Sequence, residues 1–212
     1  MSALCMSPIG FSLLVLVSTH AQAETIGDAR VGFTAERVLI LDGRIFVGRM
    51  WAMPGEQRHE QEFPALKPVF ILRADKPVGE VVLPQLHTVV EFALPSAAAI
   101  LSHPDLRRRI GQESIDGITT TQYLVENIWW RTIRPKAVRR ALLLSRDGIP
   151  MKCVGKFETR NGKLSTIDWQ LHHVQIGRQA AALFEVPRSY TKLPLEAAAP
   201  LLGMRIAPAP TR

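Results

Sequence analysis

The sequence predicts a mainly β fold with few short helices, and three features lead to that prediction. Two-residue turn signals, Asp42-Gly43, Asp116-Gly117 and Asn161-Gly162, separate segments rich in Val, Ile, Thr and aromatic residues. The central residues of such turns need positive φ, which Gly supplies freely and Asp or Asn tolerates, and the flanking residue types favour strands. Residues 86–94 alternate with the period of a strand. The clearest helix signal is confined to residues 96–103, where Ser96 can cap an alanine-rich run.

The N-terminal residues have the pattern of a cleavable secretory signal. Residues 9–17 form an apolar run too short to span a bilayer, and Ala21-Gln22-Ala23 follows with the small-x-small pattern that signal peptidase cuts. Residues 1–8 depart from this pattern because they contain no Lys or Arg, and a buried N-terminal helix is the alternative. We predict a signal peptide over residues 1–23 and a periplasmic mature chain that begins at Glu24.

The length of the mature chain suits one domain. Residues 24–194 are predicted to form that domain, and residues 195–212 are predicted to be an Ala- and Pro-rich tail. Cys153 is the only cysteine after residue 23, so no internal disulfide can form and stability must come from the core. We expect a monomer.

The net charge of +7 lies entirely on the mature chain, since residues 1–23 contain no acidic or basic side chain other than His20. In an exported protein this charge favours anionic lipid head groups or surface polymers as partners over nucleic acid. A solvated basic surface without an assigned partner is the equally weighted alternative.

The first predicted hairpin joins residues 31–41 to residues 44–53 through Asp42-Gly43. That turn sets Leu39 opposite Phe46 and Glu36 opposite Arg49. The next strand, residues 56–62, is polar on both faces, and such a strand is expected at the edge of a sheet or facing water in a groove.

Further strands are predicted at residues 69–72, 80–83 and 86–94, and again on both sides of Asn161-Gly162, at residues 152–160 and 163–176. Residues 137–146 fit either an amphipathic helix or a strand, and the turn signal that follows them favours the strand. Residues 127–136 carry Trp129 and Trp130 beside arginines, which indicates an exposed aromatic-basic loop, and residues 179–184 fit one helical turn.

No group of residues has the pattern of a catalytic or metal site. His172-His173 is the most metal-like feature, but neighbours in a regular strand point to opposite faces and cannot share an ion unless the strand is bulged. Cys153 lacks a local signature of a thiol nucleophile, and a buried small apolar residue is the favoured interpretation. We therefore predict a protein that is not an enzyme and that needs no metal or cofactor.

The order of the predicted elements, together with six short segments, resembles the LolA-like superfamily of bacterial periplasmic proteins, closest to a branch of uncharacterised secreted domains. The segments cover residues 33–36, 48–58, 111–117, 120–123, 144–152 and 183–190. The resemblance implies a curved, incompletely closed antiparallel half-barrel wrapped over short helices, with an apolar cavity between sheet and helices. It also implies a carrier of lipids or lipoproteins, or a sensor of envelope stress.

The functional hypothesis is a periplasmic binding or carrier-type protein whose apolar cavity takes a lipid or an acyl chain. An envelope interaction or stress-sensing protein without a transported ligand is the alternative. Large apolar residues on the predicted strands either line that cavity, with strand 56–62 at its rim, or fill a closed core; they are Phe46, Trp51, Phe70, Phe92 and Trp169. A contact with an anionic membrane surface is assigned to four basic residues, Arg131, Arg134, Arg139 and Arg140.

Overall fold

The computed structural model describes residues 29–63, 67–76, 78–93, 107–126, 139–158 and 164–198. Within these ranges the chain forms one sheet of twelve strands. The strands are β1 (Phe33–Leu41), β2 (Arg44–Met53), β3 (Glu56–Gln61), β4 (Val69–Arg73), β5 (Val78–Leu83), β6 (Thr88–Ala93), β7 (Arg107–Ile115), β8 (Ile118–Glu126), β9 (Arg139–Ser145), β10 (Pro150–Glu158), β11 (Leu164–Ile176) and β12 (Thr191–Pro194). Their order across the sheet is β12-β6-β5-β4-β3-β2-β1-β11-β10-β9-β8-β7, and the sheet is open.

All neighbouring strands of this sheet are antiparallel except β12, which runs parallel to β6. The predicted mainly β class is confirmed. The described helical segments are two short 3₁₀-helices, Pro84–Leu86 and Ala181–Phe184, and one helical turn, Leu195–Ala198. The helix predicted at residues 96–103 lies outside the described residues. None of the described helices is long and apolar enough to cross a bilayer.

Turn chemistry places the hairpins where the sequence predicts them. Asp42 and Gly43 have φ of 47° and 79°, and Asp116 and Gly117 have the same two values. Leu39 lies opposite Phe46 and Glu36 opposite Arg49, as predicted. The third predicted hairpin turn, Asn161-Gly162, falls outside the described residues.

Replacing Gly117 with Val should lower the free energy of unfolding by about 1–3 kcal/mol. A Cβ added at Gly117 meets no atom within 4 Å, so the cost comes only from forcing a β-branched residue to a φ of +79°. Urea denaturation would measure the change. Gly117→Asn is the matched control, since Asn tolerates this conformation, and equal losses for the two variants would contradict the explanation.

Strand β1 is central, because it pairs with β2 on one side and with β11 on the other. Its odd-numbered residues face the same side as Phe46, Met50, Trp169 and Leu171 of the neighbouring strands, and we call this side the interior face. The register extends this face to the buried Met151 and Cys153 of β10 and to the buried Phe70 and Leu72 of β4. The opposite side of the same strands is the outer face.

The β7–β8 end of the sheet bends back toward β10 and β11. In the strand order β9 and β10 lie between β8 and β11, so a flat sheet would keep these strands apart. Asp116 Oδ2, in the turn between β7 and β8, lies 3.1 Å from His172 Nδ1 of β11. Lys152 Nζ of β10 lies 3.4 Å from Glu113 Oε1 of β7. These contacts show that this half of the sheet is strongly curved.

The C-terminal segment crosses the outer face of β3–β6. The predicted helical turn is confirmed at Ala181–Phe184, and Phe184 is buried against Val69, Ile71, Val82 and Val89. Arg58 Nη1 of β3 donates a hydrogen bond of 2.9 Å to the Leu183 carbonyl. The segment ends in β12 and in a helical turn whose Ala198 is buried, so ordered structure continues into the residues predicted to begin the tail.

Because this segment covers their outer face, β4–β6 are buried on both sides. Phe70 and Leu72 of β4 face the interior, while Val69 and Ile71 face the C-terminal segment. This double burial explains why β4 is a continuous apolar run rather than an alternating one. Residues 137–146, which the sequence predicts to form a strand, contain β9, so that prediction is confirmed.

Candidate binding site on the interior face

The polar strand β3 lies inside the sheet, between β2 and β4, so its prediction as an edge or a water-facing rim is wrong. Gln57, His59 and Gln61 point to the interior face, and each is only 1% exposed. A strand with polar residues on this face is accommodated because Arg37 of β1 provides a polar partner inside. Together with Arg37 and Trp169, these three side chains form what we call the buried polar cluster.

The cluster is built across Gly48 of β2. In register, Gly48 lies between Arg37 on β1 and Gln61 on β3, and Arg37 Nη1 donates a hydrogen bond of 3.3 Å to Gln61 Oε1. A Cβ at position 48 would lie 2.1 Å from the Glu60 carbonyl oxygen and 3.1 Å from Gln61 Oε1. Glycine is therefore required here for close backbone approach, and it leaves room for the long side chain of Arg37.

Trp169 of β11 forms the other side of the cluster. The Arg37 guanidinium carbon lies 5.5 Å from the centre of the Trp169 ring, in the range of a cation–π contact. Burial lowers the pKa of Arg37 to about 10, and the charge interaction with Cys153 opposes this change. Arg37 therefore remains a cation at neutral pH although it is buried.

His59 lies between Met50 and Phe70 in register, on an otherwise apolar part of the face. Burial lowers the pKa of His59 well below its ordinary value, and the positive charge of Arg37 lowers it further. The imidazole is therefore neutral at pH 7. Its Nε2 lies 3.1 Å from Gln57 Oε1, which can only accept, so the contact is a hydrogen bond in the tautomer that carries the proton on Nε2.

Three polar atoms of the cluster are buried without a hydrogen-bond partner: Gln57 Nε2, Gln61 Nε2 and Trp169 Nε1. The orientation of the Gln61 amide follows from chemistry, since Arg37 can only donate and so requires the Gln61 oxygen. A buried polar group without a partner costs about 1–3 kcal/mol. The interior face thus carries N–H donors on β3 and β11 that lack an acceptor.

Lowering the pH from 7 should destabilise the protein through His59. In the unfolded chain His59 titrates near its ordinary pKa, whereas in the fold its pKa lies well below that value. Below pH 6.5 the unfolded state therefore binds more protons, and stability falls by up to about 1.4 kcal/mol per pH unit until the folded pKa is reached. Urea denaturation between pH 7 and pH 5 would measure this slope.

His59→Gln is the control for that titration, because Gln cannot titrate but keeps a hydrogen-bonding end toward Gln57. The variant should show a shallower loss of stability with falling pH. Identical pH slopes for the wild type and His59→Gln would rule out His59 as the cause.

The large apolar residues predicted to line a cavity do not all share one face. Phe46, Phe70 and Trp169 are buried on the interior face, and Phe46 packs edge-to-face on Phe63 with ring centres 5.0 Å apart. Trp51 points to the outer face, where it packs with the C-terminal segment and lies 5.9 Å from the Arg58 guanidinium. Phe92 occupies a position in β6 opposite Gly79, and its side chain is outside the described residues.

Of the four basic residues predicted to contact a membrane surface, the structure describes two, and only in their backbone. Arg131 and Arg134, with the predicted loop over residues 127–136, lie outside the described residues. Arg139 and Arg140 begin β9, and only their backbone positions are described. Their contact with an anionic surface stays a prediction.

His172 and His173 lie beside a register shift between β1 and β11, and His173 has a φ of 52°. The irregular strand is the exception that the sequence analysis allowed for, and the centres of the two rings are 6.4 Å apart. Each ring bonds a different carboxylate, His172 that of Asp116 and His173 that of Glu36. Among the described residues no group of three or more potential ligands is arranged to hold a metal ion.

A separate open cleft of about 470 Å³ lies where the start of β1, the β2–β3 turn and the segment after β11 meet. Met53, Ile176 and Ala181 supply apolar walls, and Arg178 and Gln179 stand beside them. This cleft does not include the buried polar cluster, so a ligand bound in it would leave the unpartnered donors of that cluster unsatisfied.

No protein-family model matches the sequence, and no curated protein matches it. Solved structures do match. An uncharacterised conserved protein from Thermus thermophilus has a TM-score of 0.51 and 13% identity over 86% of this chain and 99% of that chain. PNGF-II has a TM-score of 0.50 and 9% identity over 81% of this chain and 32% of that chain.

A LolA superfamily protein from Nitrosomonas europaea is also among the matches, with a TM-score of 0.40 and 11% identity over 80% of this chain and 96% of that chain. At these identities the likeness concerns the fold alone.

Proposed function

We propose that this protein is a periplasmic binding or carrier-type protein that takes a lipid or acyl chain on the interior face of its sheet. The observation that carries the proposal is the buried polar cluster, in which Gln57 Nε2, Gln61 Nε2 and Trp169 Nε1 are buried without a hydrogen-bond partner on an otherwise apolar face. Ligand sites commonly combine a largely apolar lining with a few polar groups that fix the orientation of the ligand. An amphipathic molecule matches both parts of this face.

The apolar part of the site lies on both sides of the cluster. Leu39, Met151 and Leu171 belong to the β1–β11–β10 side, and Phe70 and Leu72 belong to the β4 side. Methionine side chains such as Met50 and Met151 are flexible and adapt to chains of different shape. In this proposal the chain of the ligand lies along these apolar residues of the interior face.

The proposal includes export through the signal peptide at residues 1–23 and assigns the protein no catalytic role. Acyl chains are poorly soluble in water, so a protein that moves them through an aqueous compartment must cover their apolar surface. A monomer with one interior site meets this need.

Native mass spectrometry of protein purified without detergent tests the proposal. We expect additional mass that corresponds to bound lipid, and saturable binding of an apolar dye that a long-chain lipid displaces. Tryptophan emission should change on binding, and Trp169→Phe should remove part of that change, whereas Trp51→Phe, on the outer face, should leave it intact. If the wild type neither carries lipid nor binds dye or lipid at micromolar concentration, the proposal is wrong.

The second candidate function is an envelope interaction or stress-sensing protein without a transported ligand. One observation favours it: Ile45 and Val47 are 66% and 51% exposed on the outer face, and they lie opposite Ile40 and Val38 of β1. Neighbouring exposed apolar residues often mark a protein contact. Failure of every lipid and dye measurement above would favour this function.

A further inference from the structure

We propose that the edge of the sheet at β7 binds an extended acidic segment of a partner protein, which adds a thirteenth strand to the sheet. This edge is distinct from the interior face, so the proposal goes beyond the lipid or acyl-chain site and does not depend on it. Three observations carry the proposal: the length of the edge, the direction of its backbone groups and the charge of its arginines.

The two edges of the sheet differ in length and in how they are covered. At one end the chain covers β6 with β12, which has four residues, includes Pro194 and is joined to β6 by a 2.6 Å ion pair between Lys192 and Glu91. At the other end β7 has nine residues, and no strand of the described chain pairs with its far side. Short edges that contain proline resist pairing with other molecules, whereas a long edge offers a row of N–H and C=O groups.

The turn between β7 and β8 determines which backbone groups of β7 point away from β8. Both turn residues have positive φ, as in a type I′ turn, so the flanking Ile115 and Ile118 form a hydrogen-bonded pair. Hydrogen-bonded and non-hydrogen-bonded pairs alternate along an antiparallel ladder. Gln112 and Ser114 belong to non-hydrogen-bonded pairs and therefore direct their backbone N–H and C=O groups outward, where a further strand can bond them.

The residues of this edge are exposed although this end of the sheet is strongly curved. Residues 108–110 and 112–114 are all exposed. Ile110, which is 45% exposed, is the extra residue of a bulge between Arg109 and Gly111. The isoleucine offers an apolar contact to an incoming side chain, and the bulge twists the edge away from the flat geometry that pairing of two long edges requires.

The charge of the edge favours an acidic partner. Arg108 and Arg109 are exposed, and neither forms an ion pair with a residue that the structure describes. Glu113, the acidic residue of β7, already lies 3.4 Å from Lys152 of β10. The unpaired charge along β7 is therefore positive, and carboxylates placed opposite the two arginines would form cross-strand ion pairs that stabilise the added strand.

Four fluorescently labelled peptides test the proposal by fluorescence anisotropy with the purified protein. Three of them alternate Val with Glu, Gln or Lys, and the fourth replaces each Val of the Glu peptide with Pro, so it keeps the charge but cannot pair as a strand. We expect the Glu peptide to bind between about twofold and thirtyfold more tightly than the Gln peptide, the range for two cross-strand ion pairs. The Lys peptide should bind more weakly than the Gln peptide, and the Pro peptide about tenfold or more weakly than the Glu peptide.

Variants of β7 locate the added strand. Gln112→Pro removes an outward N–H group but no bond to β8, so it should weaken binding of the Glu peptide about tenfold. Gln112→Ala keeps that N–H group, and as the matched control it should bind like the wild type. Replacing both Arg108 and Arg109 with Gln should abolish the preference for the Glu peptide, whereas Arg188→Gln, at an exposed arginine of the C-terminal segment, should not. Circular dichroism checks folding, and if Gln112→Pro does not fold, the Pro peptide and the double variant decide.

The outcomes separate strand addition from other uses of this edge. Binding of none of the peptides, or equal binding of the Glu and Pro peptides, would overturn the proposal. Dimerisation that Gln112→Pro abolishes, without peptide binding, would also overturn it and assign the edge to a second copy of the chain. Binding to phosphatidylglycerol vesicles that the double arginine variant loses, again without peptide binding, would overturn it in favour of an anionic surface. None of these results alters the lipid and dye measurements, which test the proposed function separately.

Discussion

Replacing Gly48 with Ala should lower the free energy of unfolding by about 2–4 kcal/mol, because the added methyl group has no room. Its Cβ would lie 2.1 Å from the Glu60 carbonyl oxygen, and a backbone atom cannot swing aside as a side chain can. The β2–β3 ladder would have to separate locally, and the hydrogen bond between Arg37 and Gln61 would be disturbed with it. Urea denaturation followed by circular dichroism would measure the loss.

Gly177→Ala is the matched control for this substitution. A Cβ at Gly177 meets no atom within 4 Å, so its replacement should cost far less than that of Gly48. Similar losses for the two variants would mean that glycine content, and not close approach of β2 to β3, explains the effect at Gly48.

Replacing Trp169 with Ala should destabilise the protein by about 3–5 kcal/mol, the usual cost of removing a large buried aromatic side chain. Trp169 is 2% exposed, pairs with Leu39 and Cys153 in register, and lies beside the Arg37 guanidinium. Its removal would leave a cavity next to a buried cation. Thermal or urea unfolding of the ligand-free protein would measure the change.

The Trp169→Phe variant distinguishes the contribution of the ring volume to stability from the contribution of the indole N–H group. Phe retains most of the apolar surface and removes a buried donor without a partner, so the ligand-free variant should lose less than about 1.5 kcal/mol. If Trp169→Phe were as unstable as Trp169→Ala, the indole N–H would have to be satisfied in the folded protein, and the basis for a ligand acceptor at that atom would be lost.

Local turn chemistry explains which parts of the fold the sequence could predict. Asp42 and Gly43 form a two-residue hairpin turn. The position of this turn fixes the register of β1 and β2, so Leu39 lies opposite Phe46. Strand period likewise places Trp169 and Leu171, which are both buried, on the same face of β11. The same period could have shown that Phe46 and Trp51, an odd number of positions apart on β2, point to opposite faces.

The buried polar cluster could not be predicted in this way, because its members come from distant parts of the chain. A polar strand such as β3 is expected at a sheet edge unless its partners are known, and Arg37 lies 24 residues from Gln61 in sequence. The only local signal is Gly48 within a strand, which is typical of close backbone approach. Burial of both faces of β4 also depends on a distant segment, the one that contains Phe184.

The placement of β1 between β2 and β11 has a consequence for how the chain acquires its fold. β1 completes its second ladder only when Phe33 meets Ile176, near the other end of the described chain. Pairing between such distant residues makes folding slow, because a long loop must close before the contact forms. Until β11 is available, β1 presents an open strand edge that can pair with other molecules. A truncated chain that ends before Leu164 should therefore aggregate, and the nascent protein should depend on chaperones until nearly all of it has been made.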